Sequence, residues 1–178
     1  MSELNDLTLL QVQKKLKPKI EDVIPLIVDN DEQKNALAFA TWLRENKLPP
    51  KWSGIHNAWD AKYKGKNFCK ISLDKKGKWR TRLYLNNINK YDDQIIHEGL
   101  QELILGKLVY CTSCKPHREC GEIAKRDNRH LFGEEFKVLC HEYTCNGGLM
   151  VLFTNPDEAV INGIKTLLGM EREARANI

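Results

Sequence analysis

The sequence predicts an α+β fold in which helices pack against an antiparallel sheet. Apolar residues recur at helical spacing in the first 48 residues and again near the C-terminus, whereas residues 55–85 alternate between apolar and polar side chains. Of the 178 residues, 42% are hydrophobic and 29% are charged, which is typical of a globular protein. We therefore expect one domain, residues 1–178, that buries a core without disulfides.

The N-terminal part, residues 1–48, is predicted to be helical. Pro18 separates a first helical piece from a second, and Pro25 is expected to kink or end the second piece. Asn30-Asp31 supplies the side chains that commonly cap a helix N-terminus. The third helix then presents an apolar face made of Ala36, Leu37, Phe39, Ala40 and Leu43.

Residues 55–106 are predicted to form a three-stranded meander followed by a helix. The strands are expected at residues 55–63, 67–74 and 78–85, and the breaks between them contain Gly65 and Gly77 in tight-turn sequences. The side chains expected on the buried face are Cys69, Ile71, Leu73, Trp79, Thr81, Leu83 and Leu85. The helix is predicted over residues 92–106, with Gly106 at its C-cap.

The rest of the chain is predicted to contain a cysteine-rich loop, a hairpin and a last helix. Residues 107–135 are polar and are expected to be irregular. Within 136–172, the C-terminal hairpin is expected from strands at 136–143 and 148–154. Asn155-Pro156-Asp157 begins the last helix, and the charged tail after Met170 is expected to fray.

Four cysteines in this region predict a structural zinc site. Cys111 and Cys114 form a C-x-x-C turn, which places two thiolates on one side of a tetrahedral ion, and Cys120 and Cys140 complete the set. The loop at 115–135 has few apolar side chains, so a metal would supply the free energy that burial does not. Other residues that match the ligand chemistry are His117, His141 and Cys145.

Three other interpretations of these cysteines remain open. The cysteines are reduced thiols, the cysteines take part in redox or disulfide chemistry, or one of Cys111 and Cys114 acts as a nucleophile beside His117. Lys115-Pro116 follows the C-x-x-C turn, which does not fit a thioredoxin-type active site, where a helix begins there. No other catalytic motif is found, because His97-Glu98 lacks the second histidine of a metalloprotease.

The predicted sheet carries a strongly basic segment at residues 62–82. Nine lysines and arginines stand against the single acid Asp74, with aromatic residues between them. Such a surface can bind nucleic acid, because cations neutralise phosphates and rings stack on bases. A solvated face of a half-buried sheet has the same pattern. The nine cations are Lys62, Lys64, Lys66, Lys70, Lys75, Lys76, Lys78, Arg80 and Arg82.

Large aromatic residues are concentrated in the same part of the chain and suggest a small-molecule cavity. Rings with a few polar groups are typical of ligand pockets and suit an apolar cation. The alternative is that the tryptophans belong to the core and find partners for their N–H groups. The candidate ligand-binding residues are Trp42, Trp52, Trp59, Tyr63, Trp79 and Glu98.

Several short motifs resemble a known family. They are Pro50-Lys51-Trp52, Asn57-Ala58-Trp59, Tyr63-Lys64-Gly65-Lys66, Cys69 in the next strand, and the ending LLGMERE. Across residues 35–105 and 150–172 the chain resembles bacterial proteins of the YdhG-like/GyrI-like group. The resemblance implies a compact α+β domain with a curved antiparallel sheet and a cavity for small cationic or apolar molecules. It implies no catalytic residue.

The sequence therefore predicts a non-enzymatic domain that binds a small molecule and holds a structural zinc ion. The alternative is a nucleic-acid-binding module that uses the basic face 62–82, and a thiol-dependent enzyme is a third interpretation. The N-terminus lacks the apolar core of a signal peptide, and no apolar run reaches the length of a membrane span. We expect a cytoplasmic protein. The net charge of +4 permits an anionic partner without requiring one.

Overall fold

A computed structural model describes residues 9–74, 76–108, 129–132, 134–136 and 149–177. The helices are α1 (Leu9–Leu16), α2 (Ile20–Ile27), α3 (Asn30–Glu45), α4 (Asp92–His97), α5 (Gln101–Leu105) and α6 (Glu158–Ala176), and a 3₁₀ turn spans Ile88–Lys90. The strands are β1 (Lys51–Trp52), β2 (Ala58–Tyr63), β3 (Lys66–Leu73), β4 (Trp79–Leu85), β5 (Arg129–Leu131), β6 (Glu134–Phe136) and β7 (Leu149–Thr154).

Five strands form an open antiparallel sheet in the order β1-β2-β3-β4-β7. The α+β class, with helices and an antiparallel sheet, is thus confirmed, and β2, β3 and β4 are consecutive neighbours in a sheet of five strands. The burial of alternate residues along β4 follows the predicted face, because Trp79, Thr81 and Leu83 have no exposed surface whereas Arg80 between them is exposed. The meander therefore has one face against the core and one basic face.

The two turns of the meander have the backbone geometry that their sequences predict. Lys64 and Gly65 both adopt positive φ, 47° and 78°, as a two-residue type I′ hairpin loop requires. In the second turn the Asp74 carboxylate accepts hydrogen bonds from the N–H groups of Lys76 and Lys78, and Gly77 has φ 73°. Glycine supplies this conformation without a steric penalty, so both turns hold the register of the strands.

The strands beyond the meander depart in part from the prediction. β5 and β6 form a separate two-stranded antiparallel sheet. All of β5 and the first two residues of β6 lie in the segment 107–135, which the sequence predicts to be irregular. β7 matches the predicted strand at 148–154 and lies beside β4. The strand predicted at 136–143 falls almost entirely outside the described residues, so its pairing with β7 stays a prediction.

The chain divides into two compact units, Met1–Arg82 with Phe153–Ile161 and Leu83–Leu152 with Asn162–Ile178. In the first unit, α3 packs on the inner face of the sheet, because the Phe39 ring lies 6.0 Å from the Trp79 ring. Trp59 is fully buried and its indole N–H donates to the Pro18 carbonyl at 2.8 Å. The helices predicted for residues 1–48 are all present, and α2 continues through Pro25 to Ile27.

The second unit begins with two short helices where one helix was predicted over 92–106. Gly99 adopts φ 67°, and α4 ends there in a Schellman motif. The Leu100 N–H donates to the Ile95 carbonyl at 3.0 Å, and the Gly99 N–H donates to the Ile96 carbonyl at 3.1 Å. The predicted single helix is therefore wrong, because glycine allows a left-handed residue that reverses the chain between α4 and α5.

The tail after Met170 does not fray as predicted, since α6 continues to Ala176 and buries two charged residues. The Glu171 carboxylate accepts hydrogen bonds from Arg175 Nε at 2.6 Å and from the Tyr91 hydroxyl at 2.6 Å. It also accepts two backbone N–H bonds and one side-chain amide bond from Asn86 and Asn87. We call Glu171, Arg175, Tyr91, Asn86 and Asn87 the carboxylate clasp.

The carboxylate clasp is a structural element because its donors and acceptors satisfy one another. Arg175 Nη2 donates to the Tyr84 carbonyl at 2.7 Å, which binds the guanidinium on a second side. Burial, and then the charge of Glu171, raise the pKa of the Tyr91 hydroxyl far above its ordinary value, so Tyr91 remains a donor. No helix among the described residues is long and apolar enough to span a membrane.

Candidate functional site

A groove of about 550 Å³ lies in the first unit, beside the edge strand β1. Its volume is in the range of pockets that bind small molecules. β1 contains only two residues and is the first strand in the sheet order, so the groove forms where the sheet ends. The lining comes from the residues after α3, from β1 and from β2, and consists of Lys47, Pro49, Lys51, Trp52, Ser53, Asp60 and Lys62.

Lys47 enters the lining because α3 ends in a left-handed turn. The Leu48 N–H donates to the Leu43 carbonyl at 2.8 Å, and the Lys47 N–H donates to the Arg44 carbonyl at 3.0 Å. These two bonds define a Schellman motif, in which glycine usually occupies the position of Lys47. Lys47 has φ 61°, and a side chain in this conformation costs about 1 kcal/mol. A lysine is thus held at a strained position beside the groove.

The pairing of β1 with β2 brings opposite charges together. Lys51 lies opposite Asp60, and Trp52 lies opposite Trp59. Asp60 also lies opposite Lys70 on β3, whose ammonium is 3.4 Å from the carboxylate. The lining thus contains three ammonium groups and one carboxylate, and that carboxylate has a cation of its own outside the lining. Electrostatics in the groove therefore favour an anionic ligand.

The groove lining also contains polar atoms that lack hydrogen-bond partners among the described residues. The Trp52 indole N–H is shielded from solvent and has no acceptor there. Asp60 Oδ1 is likewise shielded and has no hydrogen-bond donor, although it forms the ion pair with Lys70. An unsatisfied buried polar group costs about 1–3 kcal/mol, and few occur in native proteins. A donor and an acceptor therefore remain unused beside the groove.

Of the six predicted ligand-binding residues, the structure places Trp52 in the lining of the groove. Trp59 and Trp79 are fully buried in the core of the first unit. Trp42 is half-buried and stacks on Phe39, with ring centroids 6.1 Å apart. The remaining two are Tyr63, half-buried with its ring 5.9 Å from Phe68, and Glu98, exposed in the second unit.

The structure places the described cations of the basic segment on the strands β2, β3 and β4 and in the turns between them. Arg80 is exposed and lies 3.0 Å from the Asp74 carboxylate. Partial burial raises the pKa of Asp74, but the N–H donors of Lys76 and Lys78 and the Arg80 charge outweigh it and lower that pKa below its ordinary value. Arg82 is half-buried, and its Nε has no hydrogen-bond acceptor within the described ranges. Lys75 lies outside them.

Cys69 is the cysteine that the structure describes, and it is not a nucleophile. Its thiol is fully buried and lies 3.1 Å from the Thr81 hydroxyl. Burial raises the pKa of Cys69 to about 12, an effect that the Thr81 hydrogen bond reduces and the Asp60 charge increases. Because only a thiolate is a strong nucleophile, Cys69 is inert at neutral pH.

The predicted zinc ligands Cys111, Cys114, Cys120 and Cys140 lie outside the described residues. The same holds for the alternatives His117, His141 and Cys145. Within the described ranges, no three His, Cys, Asp or Glu side chains are grouped so that they would hold a metal ion. The zinc site therefore stays a prediction from sequence spacing.

Sequence patterns gave little indication of most of the groove. Lys47, Pro49 and Ser53 lie in connections between elements, where periodicity carries no information. The unusual residue at Lys47 becomes visible only when the structure shows that a lysine, and not a glycine, occupies the left-handed position at the end of α3. Comparison of the chain with protein-family models, curated proteins and solved structures gives no match. The function is therefore inferred from the groove itself.

Proposed function

We propose that this protein binds a small anionic molecule with a flat ring in the groove at β1, and that it does so without catalysis. The observation that carries this proposal is the excess of cations in the lining, with Lys47, Lys51 and Lys62 against Asp60. Among the described residues, none of these three lysines forms a salt bridge within 4.0 Å, although Lys51 lies opposite Asp60 in the strand pairing. A bound anion would therefore add attraction at this site without displacing an existing ion pair.

Trp52 supports the second part of the proposal, the flat ring. It is half-buried and lines the groove, and an indole face open to the groove would give stacking area to an aromatic ligand. Its N–H and Asp60 Oδ1 are respectively a donor and an acceptor without hydrogen-bond partners in the described chain. A ring stacked on the indole cannot also accept the in-plane indole N–H, so the edge of such a ring would use its donor on Asp60 Oδ1 after a small rearrangement.

The proposal keeps the small-molecule role that the GyrI-like resemblance implies and changes the charge of the ligand. A cationic ligand would approach three lysines and find one carboxylate already paired with Lys70. Like charges at close range are unfavourable even when they are exposed. An anion is therefore the better match for this lining.

The proposal is tested by titrating the protein with thymidine 5′-monophosphate and following tryptophan fluorescence or heat. The nucleotide combines a phosphate with a ring whose edge has both donors and acceptors. We expect saturable binding that is stronger than the binding of either thymidine or inorganic phosphate. Lys51→Gln and Lys62→Gln should each weaken binding by about 1.4- to fivefold, because exposed charge pairs contribute about 0.2–1 kcal/mol.

Lys34→Gln is the matched control, because Lys34 is an exposed lysine on α3 that does not line the groove. It should leave affinity unchanged. If the nucleotide binds no better than thymidine or phosphate, or if Lys34→Gln weakens binding as much as Lys51→Gln, the groove is not the site.

We also propose that Cys111, Cys114, Cys120 and Cys140 hold a structural zinc ion. The support is the C-x-x-C turn, the two further cysteines and the polar composition of the sequence between them. This ion would stabilise the fold and would take no part in ligand binding at the groove.

A further inference from the structure

The basic face of the sheet continues from the groove onto the next strands. On β3, Lys70 lies between the buried residues Cys69 and Ile71, so its side chain is on the face opposite the core. On β4, Arg80 and Arg82 alternate with buried residues in the same way. Because β3 and β4 follow β2 in the sheet, these cations extend the charge of Lys62 across three strands.

The ion pair of Arg80 leaves this cation able to bind a phosphate. The Arg80–Asp74 pair, at 3.0 Å, is partly exposed, whereas the Lys70–Asp60 pair, at 3.4 Å, is largely buried. Exposed pairs contribute about 0–1 kcal/mol, so a phosphate can take the place of Asp74 beside Arg80 at little cost. Arg82 Nε has no acceptor within the described chain and is itself shielded from solvent, so a phosphate oxygen would reach it only after the side chain rearranges.

The dimensions of the face exceed those of a single nucleotide. Adjacent strands lie about 4.8 Å apart, so the path from β1 to β4 measures about 14 Å. At about 3.4 Å per nucleotide that length corresponds to roughly four nucleotides, and to fewer if the strand is extended. A ligand that places one ring beside Trp52 and fills the basic face must therefore contain several phosphates in a row.

The groove selects a single strand over a duplex. Its volume of about 550 Å³ suits one ring system, and the bases of a duplex are stacked and paired inside the helix. An unpaired base can enter beside Trp52, and base–aromatic stacking contributes about 1–3 kcal/mol per base. The site therefore requires a base that is already unpaired.

We infer that the groove is one end of a binding track for single-stranded nucleic acid, with a base beside Trp52 and phosphates along Lys62, Lys70, Arg80 and Arg82. This inference rests on the proposed function, because the mononucleotide is taken to be the end of a longer ligand. It identifies the partner by its chemistry, a flexible polyanion with unpaired bases. The inference gives the basic face of the meander a role in binding, whereas a face that is only solvated would have none.

The test measures binding of fluorescein-labelled dT8 by anisotropy at several salt concentrations, beside thymidine 5′-monophosphate and a G·C-rich duplex that stays paired at the assay temperature. We expect dT8 to bind at least tenfold more tightly than the mononucleotide, and more tightly than the duplex. The affinity should fall with salt, with a slope that decreases by about 0.7 for each phosphate contact removed. Arg80→Gln should lower the slope by that amount, and Arg80→Gln with Arg82→Gln by about twice as much.

Lys34→Gln is again the matched control and should leave the slope unchanged. Arg80 is exposed, so the single variant gives a clear result even if the half-buried Arg82 proves necessary for folding. Mononucleotide binding with no gain for dT8, an unchanged slope in Arg80→Gln, or equal affinity for the duplex would overturn the track and leave the groove proposal intact. Absence of binding by both the mononucleotide and dT8 would overturn both.

Discussion

Under the proposed function, Lys47 would serve ligand binding at the expense of stability. It occupies the left-handed position that ends α3, with φ 61°, where glycine has no steric penalty. Its side chain is exposed and contributes one of the three ammonium groups of the groove. A position of this kind is a candidate for function because the local conformation favours a different residue.

Lys47→Gly should therefore stabilise the protein and weaken ligand binding. We expect the free energy of unfolding in urea to rise by about 0.5–1 kcal/mol, since the left-handed conformation is no longer strained. Affinity for thymidine 5′-monophosphate should fall about two- to fivefold. Lys47→Gln is the control and should lose affinity without gaining stability. A Lys47→Gly variant with unchanged affinity would remove Lys47 from the site.

Cys69 predicts a pH dependence of stability on the alkaline side. Burial raises the pKa of its thiol in the folded protein from the ordinary 9.0 to about 12, so the folded state holds the proton more strongly than the unfolded state. The resulting stabilisation is complete below pH 9 and is lost as the pH rises toward 12. Between pH 9 and 10 the loss should amount to about 1 kcal/mol.

This prediction is checked by comparing urea unfolding of the wild type and Cys69→Ala at pH 7, 9 and 10. The variant is expected to be less stable at every pH, because a buried side chain is shortened, but its stability should decline less between pH 9 and 10. Equal losses of stability between pH 9 and 10 in the two proteins would show that ionisation of the Cys69 thiol does not cause the pH dependence.

At the scale of elements, the carboxylate clasp explains why α6 stays helical to Ala176. Glu171 and Arg175 are one turn apart on the helix and almost fully buried, and their partners Asn86, Asn87 and Tyr91 follow β4. Five hydrogen bonds satisfy the two oxygens of the Glu171 carboxylate, so its charged form needs no bound water. The clasp thus fixes the C-terminal turn of α6 to the segment after the meander.

Glu171→Leu should destabilise the protein by about 3–5 kcal/mol, because it leaves the Arg175 guanidinium buried without its carboxylate. Adding Arg175→Leu should recover part of that loss, since no unpaired buried charge then remains. Glu173→Leu, an exposed position on the same helix, should change stability by less than about 0.5 kcal/mol. Thermal or urea unfolding measures all three. A double variant less stable than Glu171→Leu would contradict this account.

Helix α4 shows the limit of reading elements from apolar spacing. Ile95, Leu100 and Ile104 fit one apolar stripe, so the sequence predicted a continuous helix. The structure interrupts it at Gly99, because the bonds of a Schellman motif satisfy the last carbonyls of α4. A single glycine within an apolar pattern is compatible with either outcome, and tertiary packing decides between them.

At the scale of the molecule, the zinc prediction is independent of the groove and has its own test. Elemental analysis of the purified protein should find about one zinc per chain, as four thiolates require. Cys114→Ser should lose most of the metal and lower the melting temperature. Cys69→Ala should keep it, because Cys69 is fully buried beside Thr81. Metal-free wild-type protein with the same melting temperature would contradict the prediction.

The fold was more predictable than the site, and particular residues show why. Alternation at Trp79, Thr81 and Leu83 identified the buried face of β4, since a strand repeats every two residues. The groove instead brings Lys47 and Asp60 into one lining, and their proximity depends on the register in which β1 pairs with β2. Periodicity contains no information on such pairing. Charged residues in the tail likewise suggested solvent exposure, because their partners lie about 80 positions earlier.

The sheet order also has a consequence for synthesis of the chain. β4 and β7 are neighbours, yet residues 86–148 separate them in the sequence. A ribosome that adds about 5–20 residues per second needs roughly 3–14 s after completing β4 to supply β7. Throughout that interval the meander has an unpaired backbone edge at β4 that can join another strand. Nascent chains that pause between these strands are therefore the ones most exposed to aggregation and most dependent on chaperones.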